Sequence, residues 1–243
     1  MAAVRSVADA LERIRGPATT ITTYGPERDE ALHAFLERFD VEVYHEQLPV
    51  SADAGYLTVR SGGEDRGSVP ASAFADSVDP PRDAPWTPEV RESGYGELGT
   101  LLAGARFTSL ERPHLLATSR EIEDRAFRVG SGAIHSGFQT VSTLRTELPV
   151  YERLGSTAVD VHVYATPDEM PPDLDDISLH LERAAEIAQS WFVVFDGGDE
   201  GSACALLAEE REPDEFYGFW TYERSTVDWI LDHLESTYGP LAP

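Results

Sequence analysis

The sequence predicts an α/β fold, a mixed β-sheet flanked by helices. Two observations carry this reading. Trp191–Phe195 and Cys204–Ala208 are apolar at odd and even positions alike, the pattern of strands covered on both faces. His114–Val129 and Thr226–Tyr238 instead place their apolar residues at helical spacing, so helices supply the cover.

The elements follow in order along the chain. Val7–Arg15 reads as a short amphipathic helix ended by Gly16, and Thr20–Tyr24 as a β-branched strand. Pro26–Phe39 has Ala31, Phe35 and Phe39 on one helical face. Val41–Tyr44 is a strand. Gly55–Arg60 and Gly67–Val69 form a hairpin around Ser61-Gly62-Gly63, and Ala71–Val78 is a short helix. Ser77–Gly96 holds Pro80, Pro81, Pro85 and Pro88, the composition of an extended connector. It divides the chain into an N-terminal α/β subdomain, 1–95, and a second domain, 96–243. Three helices are then expected: Glu97–Ala105, His114–Val129 and Phe138–Leu154, the last bent at Pro149. A turn, Gly130–Gly137, joins the second helix to the third. Val159–Ala165, Ile177–Leu181, Trp191–Asp196, Ala203–Glu209 and Phe216–Tyr222 read as strands, and Thr226–Tyr238 closes the chain as a helix.

A degenerate internal repeat is also readable. Val41-Glu-Val-Tyr44, Tyr56-Leu-Thr-Val59 and Gly62-Gly63 are echoed by Val161-His-Val-Tyr164, Trp191-Phe-Val-Val194 and Gly197-Gly198. Chance recurrence of glycine turns is the competing explanation.

Charge restricts function. Asp and Glu total 44 against 19 basic residues, a net charge of -25, and all the basic residues are Arg. A salt-rich cytoplasm accounts for this, because salt screens self-repulsion while carboxylates keep the surface hydrated. Without Lys there is no P-loop, no pyridoxal Schiff base and no standard kinase site. No basic stripe is available for nucleic acid. Cys204 stands alone, which fits a reducing compartment. The longest strongly apolar run, Trp191–Phe195, is too short to cross a bilayer. The expectation is a soluble cytoplasmic protein with no membrane contact.

Motif searching yields little catalytic chemistry. His45-Glu46 opens like a zinc-protease helix, but Pro49 stands where the second His belongs. The remaining His show no ligand spacing, so no metal or other cofactor is expected. Gly130-Ser-Gly132 resembles the start of a dinucleotide loop but follows a helix, where Gly130 acts as a cap. Gly197-Gly-Asp-Glu200 resembles the diguanylate cyclase signature, yet it lies between strands and reads as an acidic hairpin turn. Glu209-Glu210 is either an acid/base pair or a solvated strand end.

On the helix His114–Val129, the core stripe is Leu115, Ser119, Ile122, Ala126 and Val129. Arg120 and Glu123 share a flank with Leu116 and Phe127. Charged residues on apolar surface are either a buried clamp or a ligand contact. Trp191, Tyr217 and Trp220 stand out in the C-terminal aromatic cluster, being able to line a pocket and still hydrogen-bond.

Five blocks, taken together, resemble a known family. They are Ser119-Arg-Glu-Ile-Glu-Asp-Arg-Ala-Phe-Arg-Val-Gly-Ser-Gly132, Gly137-Phe-Gln139, Ser190-Trp-Phe-Val-Val-Phe-Asp196, Cys204-Ala-Leu-Leu-Ala-Glu-Glu-Arg211 and Phe216-Tyr-Gly-Phe-Trp-Thr-Tyr222. The family is the DICT sensory domain, here similar to its stand-alone haloarchaeal type, and the resemblance covers Phe107–Leu234. It implies a non-catalytic sensory role in signal transduction, without catalytic residues. The expected site is a cleft between the helix His114–Val129, the turn Gly130–Gly137 and the aromatic strands. Arg120, Glu123, Phe127, Gln139, Trp191, Tyr217 and Trp220 are its candidate ligand-binding residues. The partner is a small molecule or a signalling protein such as a kinase or transcription regulator. A pure interaction module and an uncharacterised hydrolase are the alternatives.

Overall fold

The computed structural model describes Ser6, Leu11 and residues 18–49, 51, 55–74 and 100–239. It is a mixed α/β chain with two mixed sheets, of four and seven strands. In chain order come β1 (Thr19–Gly25), α1 (Glu30–Leu36), β2 (Glu42–Gln47), β3 (Tyr56–Ser61), β4 (Glu64–Pro70) and a 3-10 turn at Ala71–Phe74. Then follow β5 (Arg106–Glu111), α2 (Arg112–Val129), β6 (Ser131–Thr140), α3 (Val141–Gly155), β7 (Ala158–Thr166) and β8 (Ser178–Leu181). The last elements are α4 (Ala185–Gln189), β9 (Ser190–Phe195), a 3-10 turn at Gly198–Glu200, β10 (Cys204–Glu212), β11 (Glu215–Thr221) and α5 (Arg224–Tyr238). The expected helix Val7–Arg15 apart from Leu11, the connector 77–96 and residues 97–99 of the expected helix Glu97–Ala105 lie outside the described residues.

The chain divides into two compact units. The first is Arg15–Glu121 with Glu212–Phe219. Its four-stranded sheet runs β2-β1-β3-β4, with β1 and β2 parallel and the other pairs antiparallel. One face buries Ile21, Leu57 and Val59, and Leu32, Phe35 and Leu36 of α1 are buried as well. α1 is shorter than the expected helix because Asp29 starts it, its carboxylate accepting from the backbone N–H of Leu32 at 3.1 Å. Phe39 lies past the helix end and bridges to Phe107 at the start of β5. β5 was not expected from the sequence; it pairs antiparallel with β11.

The second unit is Met1–Ile14, Ile122–Arg211 and Trp220–Pro243. Within it the strands run β10-β9-β6-β7-β8. β6 is parallel to β7 and antiparallel to β9, and β7 is parallel to β8. β9 and β10 are buried at consecutive positions on both faces, as their apolar runs require. α3 contributes Tyr151 to one face, and α5 contributes Tyr238 to the other.

One element is corrected outright. Gly130–Gly137 is no turn: Ser131–Thr140 forms β6, an interior strand, and the next helix starts at Val141 instead of Phe138. The glycines that suggest a loop are there for close approach. A Cβ on Gly132 would lie 2.3 Å from an Asp196 carboxylate oxygen, and one on Gly137 would lie 2.2 Å from the Phe192 ring.

Each unit contains the same four-strand arrangement. β2-β1-β3-β4 and β7-β6-β9-β10 both begin with a parallel pair joined through a helix, α1 or α3. Both continue with two antiparallel pairs, and both place a Gly-Gly pair at positive φ between the last two strands: Gly62-Gly63 and Gly197-Gly198.

Candidate functional site

The candidate residues divide between the units. Arg120 and Tyr217 belong to the first; Glu123, Phe127, Gln139, Trp191 and Trp220 belong to the second. Tyr217 accepts a hydrogen bond from Arg106 Nη1 at 2.9 Å. Trp220 is buried, and Phe127 is half-buried with the Arg153 guanidinium 4.3 Å from its ring centroid.

Glu123 is only 2% exposed. Its carboxylate accepts from the Tyr151 phenol at 2.6 Å, and the same phenol oxygen lies 2.9 Å from Ser136 Oγ. A phenol has one proton, so with that proton on Glu123 the serine hydroxyl donates to Tyr151. Tyr151 and Ser136 are fully buried, and Phe138 packs edge-on against Tyr151 at 5.0 Å. α2, α3 and β6 are thereby tied through two hydrogen bonds that meet at the Tyr151 phenol. Tyr151→Phe should destabilise the protein by about 1.5–3 kcal/mol, the range for a hydrogen bond to a charged group. Denaturant melts of the two proteins measure it; a loss under about 0.5 kcal/mol would show that Glu123 does not depend on the phenol.

Gln139 sits at the carboxyl end of β6 with φ 59, a left-handed conformation rare for a residue with a Cβ. The β6–β7 ladder breaks register there, between Gly137 and Thr140. The Gln139 amide donates to Glu210 Oε2 at 2.7 Å. Phe138 is the register partner of Trp191, which in turn pairs with Ala208, so Trp191 and Glu210 share a face of the sheet. Glu209 and Glu210 point to opposite faces: Glu209 pairs with Arg211 at 3.1 Å and Glu210 with Gln139. They therefore do not converge as an acid/base pair.

The opposite face holds a cluster that one-dimensional spacing conceals. His135 and His162 are register partners on β6 and β7, and Tyr164 and His180 on β7 and β8. His135 stacks on His162 at 4.4 Å and 5°, and Tyr164 on His180 at 4.4 Å and 11°. His135 Nδ1 shares a 2.9 Å hydrogen bond with the Tyr164 hydroxyl. His180 Nδ1 donates to the Tyr238 carbonyl at 3.0 Å, which leaves His180 Nε2 to accept from His162 Nδ1 at 3.1 Å. His162 Nε2 reaches Asp160 at 3.3 Å. Glu186 accepts from His233 at 2.9 Å and from the Tyr238 phenol, fastening α4 to α5 beside the stack. Burial, then the nearby His162 and His180, push His135 down to about 3. Burial also lowers His180, with His162 second. The Tyr164 hydroxyl is pushed up by burial, then by Glu235 and Glu182. The strand alternation of His162 and Tyr164 was the available sequence signal; the register with β6 and β8 was not.

Among the described residues no group of three or more His, Cys, Asp or Glu is arranged to hold a metal ion, and no helix is long and apolar enough to cross a membrane. Gly197 and Gly198, at φ 87 and 50, turn the chain from β9 toward β10, where a Cβ on Gly198 would lie 2.5 Å from the Ser131 carbonyl. The Gly-Gly-Asp-Glu run is a packed turn.

Comparison with curated proteins gives no match. Among solved structures, polyphosphate kinase from Porphyromonas gingivalis is similar at 12% identity and a TM-score of 0.37, over 94% of this chain and 47% of that one. The chain spans about half the length of that kinase, and likeness at this level carries no functional argument. The blocks that build β6, α2, β9 and β10 fall in a segment with a specific family match: residues 97–211 match the model of the DICT domain, the sensory domain in diguanylate cyclases and two-component systems.

Proposed function

We propose that this chain is a non-catalytic sensor whose DICT domain binds a small polar ligand at the carboxyl end of β6 and passes the signal to a separate protein. The supporting observation is Gln139, a non-glycine residue at positive φ whose side-chain amide donates to Glu210. Strained residues concentrate where a site needs fixed geometry. This one lies at the carboxyl end of a parallel strand pair, where α/β sheets commonly bind ligands. The half-buried Trp191 offers an apolar wall, and Gln139 and Glu210 offer an amide and a carboxylate. Glu123, sealed behind Tyr151, acts in this reading as the clamp that fixes β6, not as a direct ligand contact. Separation of Glu209 from Glu210 argues against the hydrolase alternative.

Thermal-shift screening with nucleotides, amino acids and other polar metabolites, in molar KCl, tests the proposal. A stabilising ligand is expected, with its effect abolished by Gln139→Ala or Trp191→Ala. Stabilisation that survives both substitutions, or none from any compound, would count against ligand sensing and favour a pure interaction module.

A further inference from the structure

We propose that the open face of the four-stranded sheet in the first unit docks an arginine-bearing segment of a protein partner. This surface involves none of the residues of the ligand reading above, so the two stand or fall separately.

Strand parity defines the face. Ile21, Leu57 and Val59 are buried on one side of the sheet. The other parity brings out Thr20, Thr22 and Tyr24 on β1, Glu42, Tyr44 and Glu46 on β2, and Tyr56, Thr58 and Arg60 on β3. Tyr24 and Tyr56 are register partners and stack at 4.7 Å and 15°. Tyr44 stands one strand over, opposite Thr22. Three phenol rings thus cross adjacent strands, with Tyr44 54% and Tyr56 37% exposed.

The second unit shows what this strand arrangement does with the corresponding face. Opposite the connecting helix α3, the sheet carries His135, Tyr164 and His180, and Tyr238 of α5 packs edge-on against Tyr164 at 6.2 Å. Opposite α1, the first unit instead leaves its aromatic row half-exposed.

Charge selects the occupant. Glu42 and Glu46 are exposed beside the rings, and the Tyr44 hydroxyl lies 3.3 Å from Glu42. Arg60, a basic residue on the same face, is engaged by Asp65 at 2.9 Å. A guanidinium matches this combination, because it stacks flat on a phenol while its N–H groups reach a carboxylate. The protein uses that contact internally, with Arg125 4.8 Å from the centroid of Tyr222. Salt screens a bare ion pair but leaves stacking in place, so arginine is favoured over lysine here.

The test uses the full chain with isotope-labelled tyrosine rings, in molar KCl. One probe is a twelve-residue serine peptide with arginine at alternate positions; the other is its lysine twin. The arginine peptide is expected to shift Tyr24, Tyr44 and Tyr56 and to bind at least about tenfold more tightly than the lysine peptide. Tyr44→Ser with Tyr56→Ser should abolish the shifts while the melting temperature holds, and Glu46→Gln should weaken binding. Equal binding of both peptides, binding that survives the double substitution, or shifts produced instead by single-stranded DNA would each overturn the proposal.

Discussion

Gly137→Ala is expected to destabilise the DICT domain severely, and Gly137→Val to prevent its folding. The added methyl would lie 2.2, 2.5 and 2.8 Å from three carbons of the Phe192 ring, all inside contact distance. Phe192 and Tyr164 flank Gly137 on neighbouring strands, yet their ring centroids are only 5.6 Å apart. Two strands away from each other on the sheet, they should stand nearly 10 Å apart (about twice the strand spacing). The rings lean together over the place where a side chain is missing. Phe192 is fully buried and Tyr164 nearly so, which leaves neither ring room to swing aside. Overpacking of this kind costs about 1–3 kcal/mol and sometimes more. Denaturant unfolding of Gly137→Ala, Phe192→Leu and the double variant measures it. The double variant should lose much less than the sum of the singles, because leucine in place of the ring vacates the space. Additive losses, or an alanine variant as stable as the parent, would defeat the explanation.

Acid should weaken the fold through His135. In the unfolded chain this imidazole takes a proton near its ordinary 6.5, whereas burial beside His162 and His180 holds the folded group down to about 3. Between those values the unfolded state binds a proton that the folded state refuses. The stability is complete above 6.5 and drains away as pH falls toward 3, by about 1.4 kcal/mol per unit for this group. His180 acts in the same direction. Neutralising carboxylates works the other way in a chain of net charge -25, by relieving self-repulsion. The comparison with His135→Asn isolates the histidine, since asparagine keeps an acceptor for the Tyr164 hydroxyl without titrating. Plotted against pH, the stability of this variant should fall less steeply below 6.5. Parallel curves for the two proteins would mean that His135 is not held neutral by the stack.

Several elements are legible without coordinates because a local pattern determines them. Apolar residues at every position of Trp191–Phe195 and Cys204–Ala208 mark buried strands, and the spacing of Val227, Ile230, Leu231 and Leu234 marks the inner stripe of α5. β6 is illegible for the opposite reason. Its run Ser-Gly-Ala-Ile-His-Ser-Gly has the composition of a turn, and its glycines make sense only beside Asp196 and Phe192, more than fifty residues away. Glu123 was singled out from its place on the helix, but Tyr151 and Ser136 had no local mark. Their roles arise where α3 and β6 cross.

The amino-acid order by itself determined the class of fold, the two-sided burial of the C-terminal strands and the family of the central segment. Each depends on neighbours in sequence: alternation along a strand, periodicity around a helix, or contiguous blocks. Tertiary structure alone decided that three scattered histidines and Tyr164 share one face, that Glu209 and Glu210 face apart, and that three tyrosines line an open sheet. Those outcomes follow from strand register, which pairs residues by position across a sheet whatever their distance along the chain.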